Sequence, residues 1–307
     1  MQLHFLGTGA GLPSKTRNVS ALALDLMAER GDIWLFDCGE ATQHAILHSR
    51  IRPGKISKIF ITHLHGDHTF GLPGLLSSRA MQGSKNPLTL YGPKGLMQLV
   101  RTVLHLTASH LTYPFDIIEL DDSGTAFADH KTRVTYRTLP HTLPSYAYRI
   151  READRPGHLD IKALQAQGIT AGAHLALLKQ GGSITLADGR ILHGQDYLTP
   201  SQRGRDIAIF GDCTYAAEHA DFCRHADVLV HESTYGKGEE ALAERYGHSL
   251  STQAAQLAQR AQVGHLYLTH ISARHARPET LLSDARAIFP ATTLAYDGLI
   301  ADIPLPT

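Results

Sequence analysis

Residues 63–68 read His-Leu-His-Gly-Asp-His, and they follow directly on the apolar run Ile59–Thr62. The run predicts a buried strand, and a helical pattern begins at Phe70. Three imidazoles and one carboxylate in a strand-to-helix turn can converge on one point, and Gly66 permits backbone conformations that a side chain would obstruct. Imidazole and carboxylate together suit zinc, manganese or iron. We therefore expect a fold that places a metal site at the end of this strand.

The composition is compatible with such a site. The chain of 307 residues contains 20 histidines, and Lys plus Arg equals Asp plus Glu at 29 each, so an anionic substrate must be held by local patches. Three scattered cysteines argue against a disulfide framework and indicate a reducing compartment. We see no signal peptide and no apolar run near the roughly 20 residues that span a bilayer. A soluble, cytoplasmic protein without membrane contact is expected.

Short apolar runs occur along the chain, and amphipathic patterns lie between some of them. The predicted strands are Leu3–Leu6, Ala21–Leu26, Ile33–Phe36, Ile59–Thr62, Leu88–Tyr91, Val134–Leu139, Tyr146–Ile150, Ile207–Phe210, Val228–His231 and Leu266–Thr269. The predicted helices are Thr42–His48, Leu72–Met81, Gly95–Leu106, Thr252–Gln262 and Glu279–Ile288. Because strands come in groups before each helix, we expect an α/β fold of two mixed sheets between helices. From about Glu152 to Tyr197 the chain is Gly-rich without a long apolar run, which predicts an insertion with its own small fold.

Four ligands in one turn cannot fill two coordination spheres, so further ligands are expected at later strand ends. His141 closes the strand VTYRTLP, Asp212 follows IAIFG, and His270 follows LYLT. Each alone is more often a capping or surface residue, but beside the 63–68 turn each becomes a candidate ligand. A carboxylate such as Asp212 is suited to bridge two cations about 3.5–4 Å apart, the geometry of two-metal hydrolases.

With these ligands the sequence resembles the metallo-β-lactamase superfamily, and further motifs narrow the resemblance to tRNase Z, particularly its short form. The motifs are FLGTGAGLPSKTRN, LFDCGEATQ, THLHGDHTFGLPGLL, IFGDC, VHEST, GHS and LTHIS. The resemblance implies an αβ/βα four-layer sandwich over residues 1–307 with an inserted flexible arm at 152–197. It also implies two zinc ions per subunit. His63, His65, His141 and Asp212 would hold one, and Asp67, His68, Asp212 and His270 the other. The ligand types leave manganese or another divalent metal open.

Glu232 in VHEST and His248 in YGHS form a second constellation. An imidazole can give a proton to a leaving oxygen, and a carboxylate on its other nitrogen fixes the tautomer. The resemblance assigns this role to the pair, with Asp67 helping to orient or deprotonate the attacking water. Asp37 in FDCGE is interpreted as a structural hydrogen-bonding residue near the ligands.

Two further segments match the family. Pro13–Asn18 matches the PxKxRN loop that borders its substrate channel, so Lys15, Arg17 and Asn18 are candidate substrate-binding residues. The insertion resembles the arm that grips the tRNA elbow, although residues 168–173, Gly-Ile-Thr-Ala-Gly-Ala, lack the usual prolines.

The activity implied is zinc-dependent endonucleolytic removal of 3′ trailers from precursor tRNA, by a homodimer. Cleavage after the discriminator base would leave a tRNA 3′-hydroxyl and a trailer with a 5′-phosphate. An alternative is another hydrolase of the superfamily acting on a small phosphodiester or a thioester, since the metal motif alone suits both. A non-catalytic RNA-binding protein is a third reading, disfavoured because all seven ligand positions are intact.

Overall fold

In the computed structural model of the protein, described for residues 1–170, 172–275 and 277–306, two large sheets dominate. The strands are β1 (Gln2–Gly7), β2 (Gly9–Ala10), β3 (Ala21–Leu26), β4 (Asp32–Phe36), β5 (Ile56–Phe60), β6 (Leu88–Pro93), β7 (Phe115–Leu120), β8 (Ser123–Ala128), β9 (Thr132–Leu139), β10 (Ser145–Glu152), β11 (Ser183–Thr185), β12 (Ile191–His193), β13 (Asp206–Phe210), β14 (Val228–Glu232), β15 (His265–Thr269), β16 (Ile271–Ser272), β17 (Thr292–Leu294) and β18 (Ile300–Asp302). The helices are α1 (Thr42–Leu47), α2 (Gly66–Thr69), α3 (Leu72–Met81), α4 (Leu96–Leu106), α5 (Ile161–Ala166), α6 (His174–Lys179), α7 (Ala220–Cys223), α8 (Glu240–Tyr246), α9 (Ser251–Ala261) and α10 (Glu279–Arg286), with 3-10 turns at Pro53–Lys55, Gly194–Tyr197 and Ala217–His219.

Both large sheets are mixed. The first has the strand order β18-β1-β3-β4-β5-β6-β7, and the second has the order β17-β15-β14-β13-β10-β9-β8. Strands β4 to β7 run parallel, as do β13, β14, β15 and β17. Parallel neighbours place their carboxyl ends at one edge of a sheet, which is where side chains from distant segments can meet.

Alternating side chains on each strand build the layers. On β3, Leu22, Leu24 and Leu26 face a core shared by both sheets, whereas Ala21 and Ala23 face a core shared with helices. On β13, Ile207 and Ile209 enter the core between the sheets, while Ala208 and Phe210 pack in a third core beside the apolar residues of α9. A period of two thus gives helix, sheet, sheet and helix layers. The predicted αβ/βα four-layer sandwich is confirmed.

All ten predicted strands and all five predicted helices are present, with one clear shift. The strand predicted at 59–62 covers Ile56–Phe60. Thr62 lies beyond it, because its backbone N–H donates to Asp37 Oδ1 at 2.7 Å instead of to a neighbouring strand. Edge strands β7 and β8 were not predicted, since their largely exposed residues show little apolar alternation.

Residues Arg151–Arg205 form a compact unit of their own, and the predicted insertion 152–197 lies within its bounds. Its small core contains Leu164, Ile169, Leu178 and Leu192. Helix α5 begins after Asp160, whose Oδ1 accepts a hydrogen bond from Ala163 N at 2.9 Å, and β11 pairs with β12 as a hairpin. Of the segment 168–173, which lacks the family's prolines, Ala171 lies outside the described residues. Within the described residues, no helix combines the length and apolar character needed to cross a membrane.

Candidate metal centre and cleft

The predicted ligands meet where strands of the two sheets end. His63 lies three residues after the end of β5, Asp212 lies two residues after β13, and His270 follows β15 directly. His141 comes two residues after β9. Because β13, β14 and β15 are parallel, Asp212 and His270 emerge at the same edge, with Glu232 at the end of β14 between them. Sequence positions more than 200 apart are thereby brought into contact.

Backbone hydrogen bonds from the loop after β4 hold the turn that carries residues 63–71 in place. Cys38 N donates to His68 O at 2.8 Å, and Gly71 N donates to Cys38 O at 2.9 Å. The approach is so close that a Cβ on Gly39 would lie 2.2 Å from Asp67 O. Glycine at 39 is therefore needed for this contact.

Asp37 orients one of the candidate ligands. Its carboxylate accepts hydrogen bonds from Thr62 N at 2.7 Å and Thr62 Oγ1 at 2.9 Å, and it lies 2.7 Å from His68 Nδ1. With Nδ1 held in this way, His68 Nε2 faces the other ligands. A carboxylate on the second nitrogen of a metal-binding imidazole is a common arrangement that fixes the tautomer.

One cluster consists of three histidines and one aspartate. His65 Nδ1 lies 2.9 Å from His63 Nε2 and 3.3 Å from His141 Nε2, and Asp212 Oδ2 lies 3.7 Å from His63 Nε2. A tetrahedral zinc ion with ligands at about 2.0–2.1 Å separates its ligand atoms by about 3.3 Å. The spacing and the nitrogen and oxygen donors therefore fit one such cation.

The second cluster uses the same aspartate oxygen. His68 Nε2 lies 3.5 Å from both Asp67 Oδ2 and Asp212 Oδ2, and His270 Nε2 lies 3.3 Å and 3.2 Å from these two oxygens. The two ring nitrogens are 3.3 Å apart. Asp212 is thus common to both clusters, and its position suits a bridge between two cations.

Burial lowers the pKa of the three histidines in the first cluster, whereas in the second cluster, although burial opposes it, the carboxylates of Asp212 and Asp37 raise the pKa of His68. Burial, together with the neighbouring His68, holds the pKa of His63 well below its usual value, and burial also lowers the pKa of His65 and His141. Neutral imidazoles have a free lone pair for a metal. Although burial opposes it, nearby histidines keep the pKa of Asp67 and Asp212 low, so both carboxylates stay ionised.

Glu232 and His248 form a hydrogen-bonded pair beside these clusters. Glu232 Oε1 lies 3.0 Å from His248 Nδ1, and although burial opposes it, this carboxylate raises the pKa of His248 to about 9. Thr234 was missed in the sequence. Its hydroxyl donates to Glu232 Oε2 at 2.8 Å and lies 2.8 Å from His270 Nδ1, so it links the pair to a candidate ligand. The VHEST motif contains this threonine, but nothing in the motif indicates that it has this role.

A cleft of about 420 Å³ opens over the clusters. Its lining includes His65, Asp67, His248 and His270 as well as Tyr235, Tyr246 and Arg274. The Arg274 guanidinium lies 5.2 Å from the Tyr235 ring centroid. A cation and aromatic rings beside a ligand cluster can contact phosphate and bases. These three residues were not predicted from the sequence, because single aromatic or basic residues in loops carry no pattern.

The loop at residues 13–18 lines a different cleft. Some of its side chains are exposed, and others hydrogen-bond to neighbouring segments. Lys15 is exposed and lines a separate cleft of about 610 Å³ with His44 and His48. Arg17 Nη1 instead donates to Thr8 Oγ1 at 2.5 Å and to Ala295 O at 2.7 Å. Asn18 Nδ2 donates to Glu40 O at 2.7 Å. All three predicted substrate-binding residues line this cleft, and among them Lys15 is the exposed one, whereas Arg17 and Asn18 are half-buried.

Comparison with known structures identifies the class of protein. The short form of human tRNase Z has a TM-score of 0.73 with this chain at 31% identity, covering 99% of this chain and 100% of that one. The metallo-β-lactamase fold protein YhfI from Bacillus subtilis has a TM-score of 0.69 at 18% identity, covering 97% and 98% of the two chains, and shares the fold. The chain is thus a metallo-β-lactamase-fold protein.

Sequence relatives narrow the class. The family model described as Anti-Pycsar protein Apyc1 matches residues 1–154. Over nearly the whole chain, Ribonuclease Z of Bacillus licheniformis is 50% identical across 299 residues, 97% of each protein. Ribonuclease BN of Erwinia tasmaniensis is also 50% identical across 299 residues, 97% of this chain and 98% of that protein. The chain belongs to the ribonuclease Z family, which confirms the resemblance drawn from the sequence motifs.

Proposed function

We propose that this protein is a zinc-dependent endoribonuclease that removes 3′ trailers from precursor tRNA. The observation that carries the proposal is the convergence of two ligand clusters and the His248–Glu232 pair at one cleft. Membership of the ribonuclease Z family supports RNA as the substrate. Cleavage after the discriminator base leaves a 3′-hydroxyl on the tRNA and a 5′-phosphate on the trailer.

Two zinc ions per chain, or another divalent metal, fit the donor set. His63, His65, His141 and Asp212 would hold one ion, and Asp67, His68, His270 and the shared Asp212 the other. When bound, two such cations activate water and offset the charge that develops on the phosphate.

The chain's own side chains then complete the displacement. Asp67 lines the cleft, and its carboxylate can orient the attacking water and accept its proton. The new bond forms between the water oxygen and phosphorus, and the bond from phosphorus to the 3′ oxygen breaks. Because His248 Nδ1 is engaged by Glu232, its Nε2 is the nitrogen that donates a proton to the leaving 3′ oxygen. Glu232 favours the protonated ring that this step requires.

Further contacts with tRNA are proposed for the loop at residues 13–18 and for the unit Arg151–Arg205. Lys15 is exposed and can meet a phosphate of the substrate, while Arg17 and Asn18 support the loop that presents it. The unit Arg151–Arg205 is proposed to be the arm that grips the tRNA elbow. A homodimer in the cytoplasm is proposed on the family resemblance.

A small phosphodiester is the alternative substrate, because the ligand clusters by themselves would serve it equally well. The test compares gel cleavage of a precursor tRNA with turnover of bis(p-nitrophenyl) phosphate by the same zinc-loaded sample. We expect a single cut after the discriminator base, abolished by zinc chelation. Hydrolysis of the small ester without any cut in the RNA would refute the proposal.

A further inference from the structure

Asp297, in the loop between β17 and β18, is connected to the candidate ligands Asp67 and His270 through the segment that begins at Thr8. Its Oδ1 accepts from Thr8 N at 3.0 Å and from Thr8 Oγ1 at 2.7 Å, and its Oδ2 accepts from Asn18 N at 2.5 Å. Arg17 donates to the same Thr8 hydroxyl and to Ala295 O. Asp297 therefore ties together the two ends of the loop that starts at Thr8 and ends at Asn18.

The segment after Thr8 reaches one ligand directly. Gly11 N donates to Asp67 Oδ2 at 2.8 Å. This is the same oxygen that lies 3.3 Å from His270 Nε2. The direction of the Asp67 carboxylate thus depends on where the backbone at residues 8–11 is held.

The same segment also fixes a second ligand. Ile271 N donates to Thr8 O at 2.8 Å, and β16 pairs with β2 in parallel, with Ile271 opposite Gly9. His270, the preceding residue, has φ 56°, a left-handed conformation that is sparsely populated for residues other than glycine. Such a conformation persists only where its surroundings constrain it. The pairing of residue 271 with the Thr8 segment supplies that constraint.

We propose that Asp297 is a positioning residue for the Asp67–His68–His270 cluster, acting through Thr8 on the direction of Asp67 and His270. The inference rests on the proposed function, since it concerns the affinity of that cluster for its cation. It assigns Arg17 and Asn18 to the same supporting network. Within the described residues, the imidazoles of His63, His65 and His141 make no hydrogen bond to this network, although their cluster shares Asp212 with the other, so the Asp67–His68–His270 cluster is expected to respond more strongly.

The test measures zinc binding in Asp297→Asn and Thr8→Val. Zinc content after gel filtration gives the number of bound ions, competition with a chromophoric chelator gives their affinities, and ¹⁵N-histidine spectra show which imidazoles are bound. We expect wild type to hold two zinc ions. In Asp297→Asn, the ion seen by His68 and His270 should bind about 10- to 100-fold more weakly, the range for loss of supporting contacts. The ion seen by His63, His65 and His141 should lose much less affinity.

Asp129→Asn is the matched control, because Asp129, like Asp297, accepts from two backbone N–H groups, while its side-chain donor is Arg30 and it lies away from the clusters. It should lower stability without changing either zinc affinity. If Asp297→Asn does not fold, Thr8→Val decides, since it removes only the hydroxyl and keeps the backbone donor. Unchanged affinities, or equal weakening of both ions, would overturn the inference. Wild type holding fewer than one zinc ion would refute the proposed function instead.

Discussion

The pairing of Glu232 with His248 makes a prediction that separates proton donation from metal binding. Five donors meet the Glu232 carboxylate: His248 Nδ1, Cys213 N and Ser249 N at Oε1, and Thr234 N and Oγ1 at Oε2. Glu232→Gln keeps one acceptor oxygen, so at least two buried donors lose their partner at about 1–3 kcal/mol each. His248→Ala removes a side chain at the cleft that is 14% exposed, and the fold should persist.

We expect His248→Ala to lower kcat by about 10²- to 10⁴-fold, the usual contribution of a general acid, with two zinc ions retained. Because the pair acts as a unit, the double variant should be no slower than His248→Ala. The sign of the pH effect follows from the raised pKa of His248: the protonated form is present below that pKa and is lost as pH rises through it. Removing the Glu232 charge should therefore move the alkaline limb of kcat to lower pH.

The assay is single-turnover cleavage of precursor tRNA at saturating zinc, with unfolding in urea measured in parallel. Multiplicative losses in the double variant, or an unmoved alkaline limb in Glu232→Gln, would refute the reasoning.

Three further outcomes are expected. Arg149 is buried and donates through Nε and Nη2 to Asp206 at 2.8 Å and 2.7 Å. Asp206→Ala should therefore lower the free energy of unfolding by about 3–5 kcal/mol, and Arg149→Met/Asp206→Leu by much less, as measured in urea. His141→Ala should release about one zinc ion per chain by elemental analysis, because it leaves its own cluster with three ligands and the other cluster with all four. Full retention would contradict the ligand assignment. Hydrogen bonds from Arg30 lower the pKa of Asp129 below its ordinary 3.8, so their stabilisation is present above that pH and lost below it; Asp129→Asn should flatten the acid branch of a Tm–pH curve.

Much of the fold was predictable because buried strands carry continuous or alternating apolar residues. Leu22, Leu24 and Leu26 illustrate the alternation, and β3 begins and ends where it was predicted. The exposed edge strand Ser123–Ala128 has no such pattern, because one side of it meets solvent and neither face is fully buried. A strand can be predicted from a sequence when burial imposes an apolar pattern on it, and strand propensity alone does not suffice.

The candidate ligands were predictable for a related reason. His63 and Asp212 are polar residues placed where apolar strands stop, and parallel strands bring such positions to one edge. Thr234 also lies just beyond a strand, but a threonine there is ordinary, and its contacts with Glu232 and His270 depend on side-chain direction. Tertiary packing sets the direction of a side chain, and the spacing of residues in the sequence does not reveal it.

Arg17 and Asn18 also show that a sequence motif does not reveal the direction of a side chain. A basic loop beside an active site suggests contacts with phosphate, yet the Arg17 guanidinium donates to a threonine hydroxyl and a backbone carbonyl. Arginine has several donors in a fixed plane and can join chain segments as readily as it binds an anion. Lys15, two residues earlier, is exposed at a cleft and keeps its charge available. The hydrogen bonds of Arg17 and Asn18 hold the loop in place, which the motif does not indicate, while all three residues line the same cleft and their contact with substrate stays a prediction.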